Sequence, residues 1–599
     1  KAEGRGQRAE SKKEGCKVEG NDNCLTGDDI NSTNAAAGKA RNQAEMMLVA
    51  GYSGIGKSAL VQELYKPITA QRGYFISGKF DQFQRNIPYS AIASAFKSLI
   101  QQLLAENEAQ LSQWREKLLA ALGSNAQVII DVIPEIEQIV GSQPPVQQLE
   151  PTEAQNRFNL VFQKFVQVFC QRTHPLVIFL DDLQWADSAS LKSIELMLSD
   201  YQIQYLLLIG AYRDNEVSPT HPLMATLNRL QEEGAIVNSL TLTPIAPAQI
   251  TQWIADTLYS QPKLVEPLAE LIHGKTSGNP FFINEFLKTL YQENLLTFEQ
   301  QEQCWQWDIT QIEASSITDN VVDLMLGKLR KLPEATQQAL SLAACIGNRF
   351  ELTILSPICE KSAAQTFEHL LPAIQLGLVQ PTSSLETTTS ETLIESALIV
   401  ENYKFQHDRI QQAAYALIDD EYKQSVHLKI GRLLQQKLDN AELGERLFTL
   451  VDHLNKGRAL VESDRQKIEL AELNLQAGKK AKQATAYTAS RDYLILAKAL
   501  FPGEIWQELY PMAIDLYKEL AEVEYLNGNF DQSQNLIEQS IQQAKSAFDS
   551  AEFSYLRIYQ YTLLGKYQEA IEASITVLRL LGTNLPIDNY QAAFDSEIE

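Results

Sequence analysis

Cysteine is scarce in this chain, and the few present do not cluster. Cys16, Cys24, Cys170, Cys304, Cys345 and Cys359 form no C-x-x-C pair, so neither a zinc site nor a disulfide framework is implied. Reduced thiols in the cytoplasm are the expectation, where the sequon Asn31-Ser32-Thr33 carries little meaning. No apolar run approaches the about 18–20 residues needed to span a bilayer. The polar start of the chain shows no signal peptide, so membrane insertion is not expected. Positive charge is in short supply, with 51 Lys and Arg against 75 Asp and Glu and a formal net charge of −24. That balance argues against nucleic acid or an anionic membrane as the main partner. Large apolar side chains are nearly missing from residues 1–42, which are expected to be disordered. The chain starts at Lys1 rather than Met, as a fragment would. Elsewhere apolar residues are ample, and 599 residues are too many for one core, so several domains are expected.

Against this background one motif stands complete. Gly51-Tyr52-Ser53-Gly54-Ile55-Gly56-Lys57-Ser58 fits G-x-x-x-x-G-K-[ST]. The apolar run Met46–Ala50 before it is a strand candidate, and Ala59-Leu60-Val61-Gln62-Glu63-Leu64 after it reads as a helix. That context separates a phosphate-binding loop from a glycine turn with an incidental lysine. Gly51, Gly54 and Gly56 let successive N–H groups face phosphate oxygens, and the helix N-terminus at Ser58 and Ala59 adds partial positive charge. Lys57 would reach the β- and γ-phosphates of ATP, and Ser58 would ligate Mg²⁺.

A second half-site supports the first. Leu176–Leu180 is a buried-strand candidate ending in Asp181-Asp182, at the edge where such a fold holds Mg²⁺. Asp181 is the expected metal ligand. Asp182 is placed to orient or deprotonate an attacking water. Arg213 follows the strand candidate Leu206–Ala211 and reads either as a γ-phosphate sensor or as a surface pair with Asp214 or Glu216; the sensor reading is preferred. Ser277-Gly278-Asn279-Pro280-Phe281-Phe282 starts a helix at proline; Pro280 either lies against the nucleotide base or is a plain cap. Gly274-Lys275-Thr276 is no second phosphate loop, because Ala269 stands where the first glycine belongs. Phe405-Gln406-His407-Asp408-Arg409 precedes a helix, and His407 either contacts the β-phosphate of ADP or serves as a cap or surface histidine.

Residues 43–244 read as a parallel α/β sheet, with strands Met46–Ala50, Tyr74–Ser77, Leu176–Leu180 and Leu206–Ala211. Residues 245–318 read as an all-helical lid. Residues 319–432 suit a winged-helix-like unit whose polar wing is Thr382–Thr392. Residues 433–599 read as helical hairpins. Around Gly528 and again around Gly565 a helix ends and another starts, 37 residues apart. This suggests degenerate tetratricopeptide-like repeats, with an ordinary helical bundle as the alternative.

The set Asp181-Asp182-Leu183-Gln184-Trp185-Ala186-Asp187, Arg213 and Gly278-Asn279-Pro280, in this order, resembles the STAND class of signal-transduction ATPases, relatives of AAA+ proteins. Gly51–Leu64, Gly78-Lys79-Phe80-Asp81-Gln82-Phe83, Gln155-Asn156-Arg157-Phe158 and Phe405–Tyr415 look most like the ATPase module of large bacterial multidomain kinases. Those proteins carry a serine/threonine kinase domain, this ATPase, helical repeats, a GAF sensor and a histidine kinase. The resemblance, over about Met46–Glu599, implies an ATP- and Mg²⁺-dependent switch with slow hydrolysis. Its repeats would meet protein partners, and its state would pass to kinase domains of the parent protein. In the family a Gly-Arg segment before the first strand helps bind adenine; here residues 1–41 stand in its place. No kinase Gly-rich loop, catalytic loop or phosphoacceptor-histidine helix is present, so kinase activity is expected outside this chain. A turnover AAA+ remodelling machine and a scaffold with a vestigial loop are the competing readings.

Overall fold

The structure, a computed structural model, describes residues 43–82, 87–147, 149, 151–301, 303–315, 320–382, 401–437, 440–501 and 505–583. The disorder expected for residues 1–42 lies outside them, as does the wing beyond Thr382. Strands β1 (Glu45–Ala50), β2 (Tyr74–Lys79), β3 (Leu176–Asp181), β4 (Leu206–Tyr212) and β5 (Ile236–Thr241) form a parallel sheet in the order β2-β3-β4-β1-β5. This is the α/β P-loop NTPase fold, followed by a helical region. β3 is buried along its whole length, as its apolar run Leu176–Leu180 requires between two layers. The register pairs Lys79 with Asp181, Leu180 with Gly210 and Ala50 with Tyr212. The carboxyl ends of β1 to β4 therefore line one edge, where open parallel sheets bind ligands.

β5 is a strand that the sequence reading did not include. Its residues Ile236-Val237-Asn238-Ser239-Leu240-Thr241 are half-buried or exposed, as an edge strand allows, so no apolar run announces it. Between β2 and β3 stand the helices Ser90–Leu104, Glu108–Leu122 and Pro151–Phe169. They close over an aromatic core in which Phe96 meets Phe165 at 4.9 Å and Trp114 meets Phe169 at 5.6 Å between ring centroids. The first of these helices presses against β2 so closely that a Cβ on Gly78 would lie 1.8 Å from the Ala91 carbonyl oxygen.

The helices Pro247–Thr257, Pro262–Thr276 and Pro280–Gln292 follow, each opening on proline at its first position, where a missing N–H costs nothing. The expected all-helical lid is corrected here. β6 (Leu296–Glu299) and β7 (Cys304–Trp307) form an antiparallel hairpin, with Phe298 opposite Trp305 at 5.3 Å. Cross-strand aromatic pairing stabilises this short ribbon, whose four-residue strands are too brief to register as a period in the sequence. Further on, β8 (Arg349–Glu351), β9 (Val379–Pro381) and β10 (Asn402–Phe405) make a small antiparallel sheet in the order β8-β10-β9. It packs with the helices Glu334–Ile346, Leu352–Cys359 and Ala363–Gln375.

The C-terminal part holds three helical hairpins with one turn geometry: Asp464–Gln483 with Tyr487–Leu500, Tyr510–Leu526 with Phe530–Gln543, and Ala547–Leu563 with Tyr567–Leu580. Each turn has a left-handed residue, Thr485 (φ 58°), Gly528 (φ 81°) or Gly565 (φ 73°). Each is closed by a backbone bond to the residue five before: Ala486 N to Ala481 O, Asn529 N to Glu524 O and Lys566 N to Tyr561 O. Each second helix opens on an aromatic residue and buries a small one three positions on, namely Ser490, Ser533 or Ala570. The Ser490 and Ser533 hydroxyls donate to the Gly478 and Ala521 carbonyls of the partner helix. Thr485 takes the place of glycine in the first turn, so that repeat is hidden from a search for glycine turns.

Gly78→Ala is expected to destabilise the nucleotide sheet by about 3 kcal/mol, because the new methyl meets backbone that cannot turn aside. Urea unfolding followed by the fluorescence of Trp114 and Trp185 measures it. An unchanged midpoint would contradict the close approach of β2 to the helix Ser90–Leu104.

Candidate active site

The loop Gly51–Ser58 joins β1 to the helix Lys57–Gln62 and turns through positive φ at Gly51, Gly54 and Gly56. Gly54 is also closed in from outside, since a Cβ there would lie 2.9 Å from Asn279 Oδ1. Lys57 is buried, and its ammonium donates to the Gly51 carbonyl at 2.6 Å and the Tyr52 carbonyl at 3.0 Å. Burial lowers its pKa, against the opposing pull of Asp182 and Asp181. The Ser58 hydroxyl donates to Asp181 Oδ2 at 2.7 Å. The two residues assigned to a metal therefore meet across 123 positions of sequence. Ala59 stands exposed in the first helical turn. A hydroxyl and a carboxylate side by side suit a hard cation such as Mg²⁺. An inward-turned lysine above three positive-φ glycines suits phosphate.

Asp182 follows β3 in a left-handed conformation (φ 58°), which costs a non-glycine residue about 1 kcal/mol. Three neighbours hold it there. Gln184 Nε2 donates to Oδ1 at 2.8 Å, Arg213 Nε reaches Oδ1 at 3.2 Å and Lys79 Nζ reaches Oδ2 at 3.2 Å. Burial and the neighbouring Asp181 charge outweigh these cations and push the Asp182 carboxyl up to about 6.

Arg213 is buried rather than at the surface. Its backbone N–H donates to Gln184 Oε1 at 3.1 Å, and its guanidinium lies 4.4 Å from the centre of the Trp185 ring. The pair with Glu216 that sequence offered as the alternative is present at 2.9 Å, together with Asp182 and, at 3.0 Å, Asp408 Oδ2. Asp408 opens the helix Asp408–Ala416 and also takes Lys79 Nζ at 2.6 Å and Asn348 Nδ2 at 3.2 Å. Burial alone would raise the Asp408 carboxyl, but Lys79 above all draws it well below the usual range.

His407 is the N-cap of this helix, accepting the Arg409 N–H at Nδ1. Burial pushes its imidazole down to about 4, so it is neutral near pH 7. Its ring stacks on Phe281, with centroids 3.9 Å apart and planes at 18°. Pro280 holds the first position of the helix Pro280–Gln292. The preceding Asn279 caps that helix through Oδ1 and donates Nδ2 to the Ser53 carbonyl at 2.8 Å. Phe281 N donates to the Gly54 carbonyl at 3.2 Å. Sequence reading named Lys57, Ser58, Asp181, Asp182 and Arg213, and these come together. It missed the polar partners Lys79, Gln184, Asn279 and Asp408, each of which lay inside a quoted motif.

Residues 30–209 match the family model described as AAA ATPase domain, and residues 263–303 match a domain of unknown function (DUF8739). The chain is 31% identical, over 91% of its length, to hybrid signal transduction histidine kinase G of Dictyostelium discoideum, of which it covers 19%. It is 20% identical to the peroxide stress-activated histidine kinase mak3 of Schizosaccharomyces pombe, over 86% of this chain and 23% of that one. It thus spans about a fifth of the length of these curated relatives. They come from a slime mould and a yeast, whereas the resemblance drawn from the motifs was to bacterial kinases. A solved STAND protein with a tetratricopeptide repeat sensor from Pyrococcus horikoshii aligns at a TM-score of 0.40 and 13% identity, over 90% of this chain and 68% of that one. Among the described residues no helix is long and apolar enough to cross a membrane.

The raised Asp182 pKa has a measurable consequence. The folded chain holds this proton up to about pH 6, whereas an unfolded aspartate loses it near pH 4. Asp182 therefore makes stability fall as pH rises from about 4 to 6. Asp182→Asn removes that term, so the melting temperature of the variant relative to wild type should rise between about pH 4.5 and pH 7. Fluorimetric melts at both pH values test this, and a constant difference would contradict a protonatable buried Asp182.

Proposed function

We propose that this chain is an ATP-binding, slowly hydrolysing signal-transduction switch, the regulatory ATPase module of a multidomain sensor kinase. One observation carries the reading: Arg213, at the edge where phosphates would lie, is engaged by Asp408 from outside the nucleotide sheet. In this arrangement the guanidinium is committed to Asp182, Glu216 and Asp408 and is not offered to a phosphate. A contact of this kind supplies the resting state that a switch needs. In this reading Asp408 is the latch, and its neighbour His407 fixes the helix start against Phe281.

The residues divide the work. Lys57 exchanges its bonds to the Gly51 and Tyr52 carbonyls for β- and γ-phosphate oxygens. Ser58 and Asp181 would hold Mg²⁺, which when bound would supply charge neutralisation on the phosphates. Asp182, released from Lys79 and Arg213, orients the attacking water and accepts its proton. Arg213, released from Asp408, reports the γ-phosphate. Opening is favoured by whatever binds the open state better than the closed one. The helical repeats are the element suited to protein partners, and the likeness to histidine kinases supports kinase domains of the parent protein as the receiver of the signal. Cytoplasmic location fits Cys170, Cys304, Cys345 and Cys359, which are free thiols among the described residues.

Lys57→Ala should weaken binding of a fluorescent ATP analogue by about a hundred-fold, with the helical hairpins still folded by circular dichroism. Unchanged affinity would sink the phosphate-loop assignment. Asp182→Asn should keep ATP binding and slow single-turnover hydrolysis by at least about ten-fold. Equal loss of binding would mean that its role belongs to the ground state. Asp408→Asn should speed release of labelled ADP by about three- to ten-fold in stopped flow. Release at the wild-type rate would leave the switch without its latch and favour a constitutive ATPase.

A further inference from the structure

The acidic loop has a second face, turned away from the phosphate edge. It runs from Asp182 through the short turn Leu183–Trp185 to Asp187, which caps the helix Ser188–Ser199. The Asp187 carboxylate accepts the Ser190 N–H at 2.9 Å and the Ser190 hydroxyl at 2.5 Å, and the Tyr89 backbone is among the neighbours that offset the cost of its burial. Tyr89 is buried and sits at left-handed φ (59°) before the helix Ser90–Leu104. Its ring lies 5.4 Å from Phe158. Its hydroxyl crosses to the first helical hairpin, donating to the Ala484 carbonyl at 2.8 Å and lying 3.2 Å from Thr485 Oγ1. Gln155 Nε2 reaches the same Thr485 hydroxyl at 3.2 Å. Ala481, Ala484 and Ala486 of that turn belong to the apolar core of the nucleotide sheet rather than to that of the later hairpins.

We propose that Tyr89 is a positioning residue that transmits the placement of the first helical hairpin to the acidic loop of the nucleotide site, its hydroxyl reading the Ala484–Thr485 turn and its backbone holding Asp187. The proposal rests on the switch reading above and adds to it the point where the repeats act. Two left-handed, non-glycine residues meet at this seam, Tyr89 and Thr485, and such conformations persist only where the surroundings enforce them. Beside the seam a cavity of about 470 Å³ opens between the helix Ser188–Ser199 and the hairpins, lined by Ser193, Thr488 and Asn527 among others. Among the described residues the Ser193 hydroxyl in its wall, which is buried, has no hydrogen-bond partner. Tyr89, Gln155 and Thr485 line the same cavity, so the hydrogen bonds that grip the turn border open space into which it can move without expelling packed side chains. On the loop's inner face, Gln184 bonds Asp182 and the Arg213 backbone. A shift of Asp187 thus pulls on the residue that orients both.

Tyr89→Phe removes one hydroxyl and keeps the ring on Phe158. Thr485→Gly removes the other hydroxyl in a residue suited to the left-handed turn, so it does not act by straining the fold. In the full chain, both variants should speed release of labelled ADP by about three- to ten-fold, the factor expected for one buried hydrogen bond. Hydrogen exchange without nucleotide should quicken in two places, Ala484–Thr488 and Leu183–Ser190. Faster exchange at Ala484–Thr488 alone, with ADP release unchanged, would show a seam that is only structural and overturn the proposal. If the wild type binds no nucleotide, the switch reading fails. The exchange data then still decide the coupling, since quickening at Leu183–Ser190 supports it and its absence refutes it.

Discussion

A carboxylate buried at the end of a parallel strand has to be paired or lose its charge, and the arrangement around Asp182 follows from that requirement. Taking a charge out of water costs several kcal/mol, and here Lys79 and Arg213 offset it only in part, since the carboxyl remains raised to about 6. The same two cations are shared with Asp408. Anchoring the acid of the nucleotide site and holding the helix Asp408–Ala416 against it are therefore one electrostatic event. A group that draws Lys79 or Arg213 away disturbs both. In the proposed switch, such sharing would convert a local binding event into a change of domain contact without a long chain of intermediates.

The loop Gly51–Ser58 is held from two sides by similarly economical means. Asn279 caps its own helix and grips the Ser53 carbonyl, and Phe281 bonds Gly54 through its backbone while carrying the His407 ring. The loop Gly51–Ser58, the helix Pro280–Gln292 and the His407 turn are thereby held to one another. Preorganisation of this kind lowers the ordering cost of binding.

Much of this was legible in the residues. The phosphate loop and the apolar runs ending in Asp181 and Arg213 specify their local structure through short-range chemistry, and β1 to β4 lie within one or two residues of the expected positions. The aromatic helix from Pro151 to Phe169 shows its buried face by spacing alone. What stayed hidden was hidden for identifiable reasons. β5 is an exposed edge and carries no continuous apolar run. The β6–β7 hairpin is shorter than any reliable period. The first repeat turn uses Thr485 where the others use glycine. The pairing of Lys79 with Asp408 spans 329 positions, and no local pattern encodes which distant carboxylate a lysine will meet. The motifs marked the right segments, but the choice of Asp408 over His407 as the charged contact depended on how the helix start faces the sheet.

The repeated turn geometry of the C-terminal hairpins has a mechanical consequence. The first turn is fixed to the nucleotide sheet, and the helices Tyr510–Leu526, Phe530–Gln543, Ala547–Leu563 and Tyr567–Leu580 continue outward from it. With neighbouring helices about 8–10 Å apart, they carry the stack roughly 30 Å from its anchor. Rotating the stack by roughly 10° about the Ala484–Ala486 pivot would move its far end by about 5 Å, the rise of one helical turn. The stack is a lever with its short arm in the seam. In the proposed switch, a partner pushing at the distal hairpin would act with the leverage of that distance on the hydrogen bonds and the alanine contacts of the pivot.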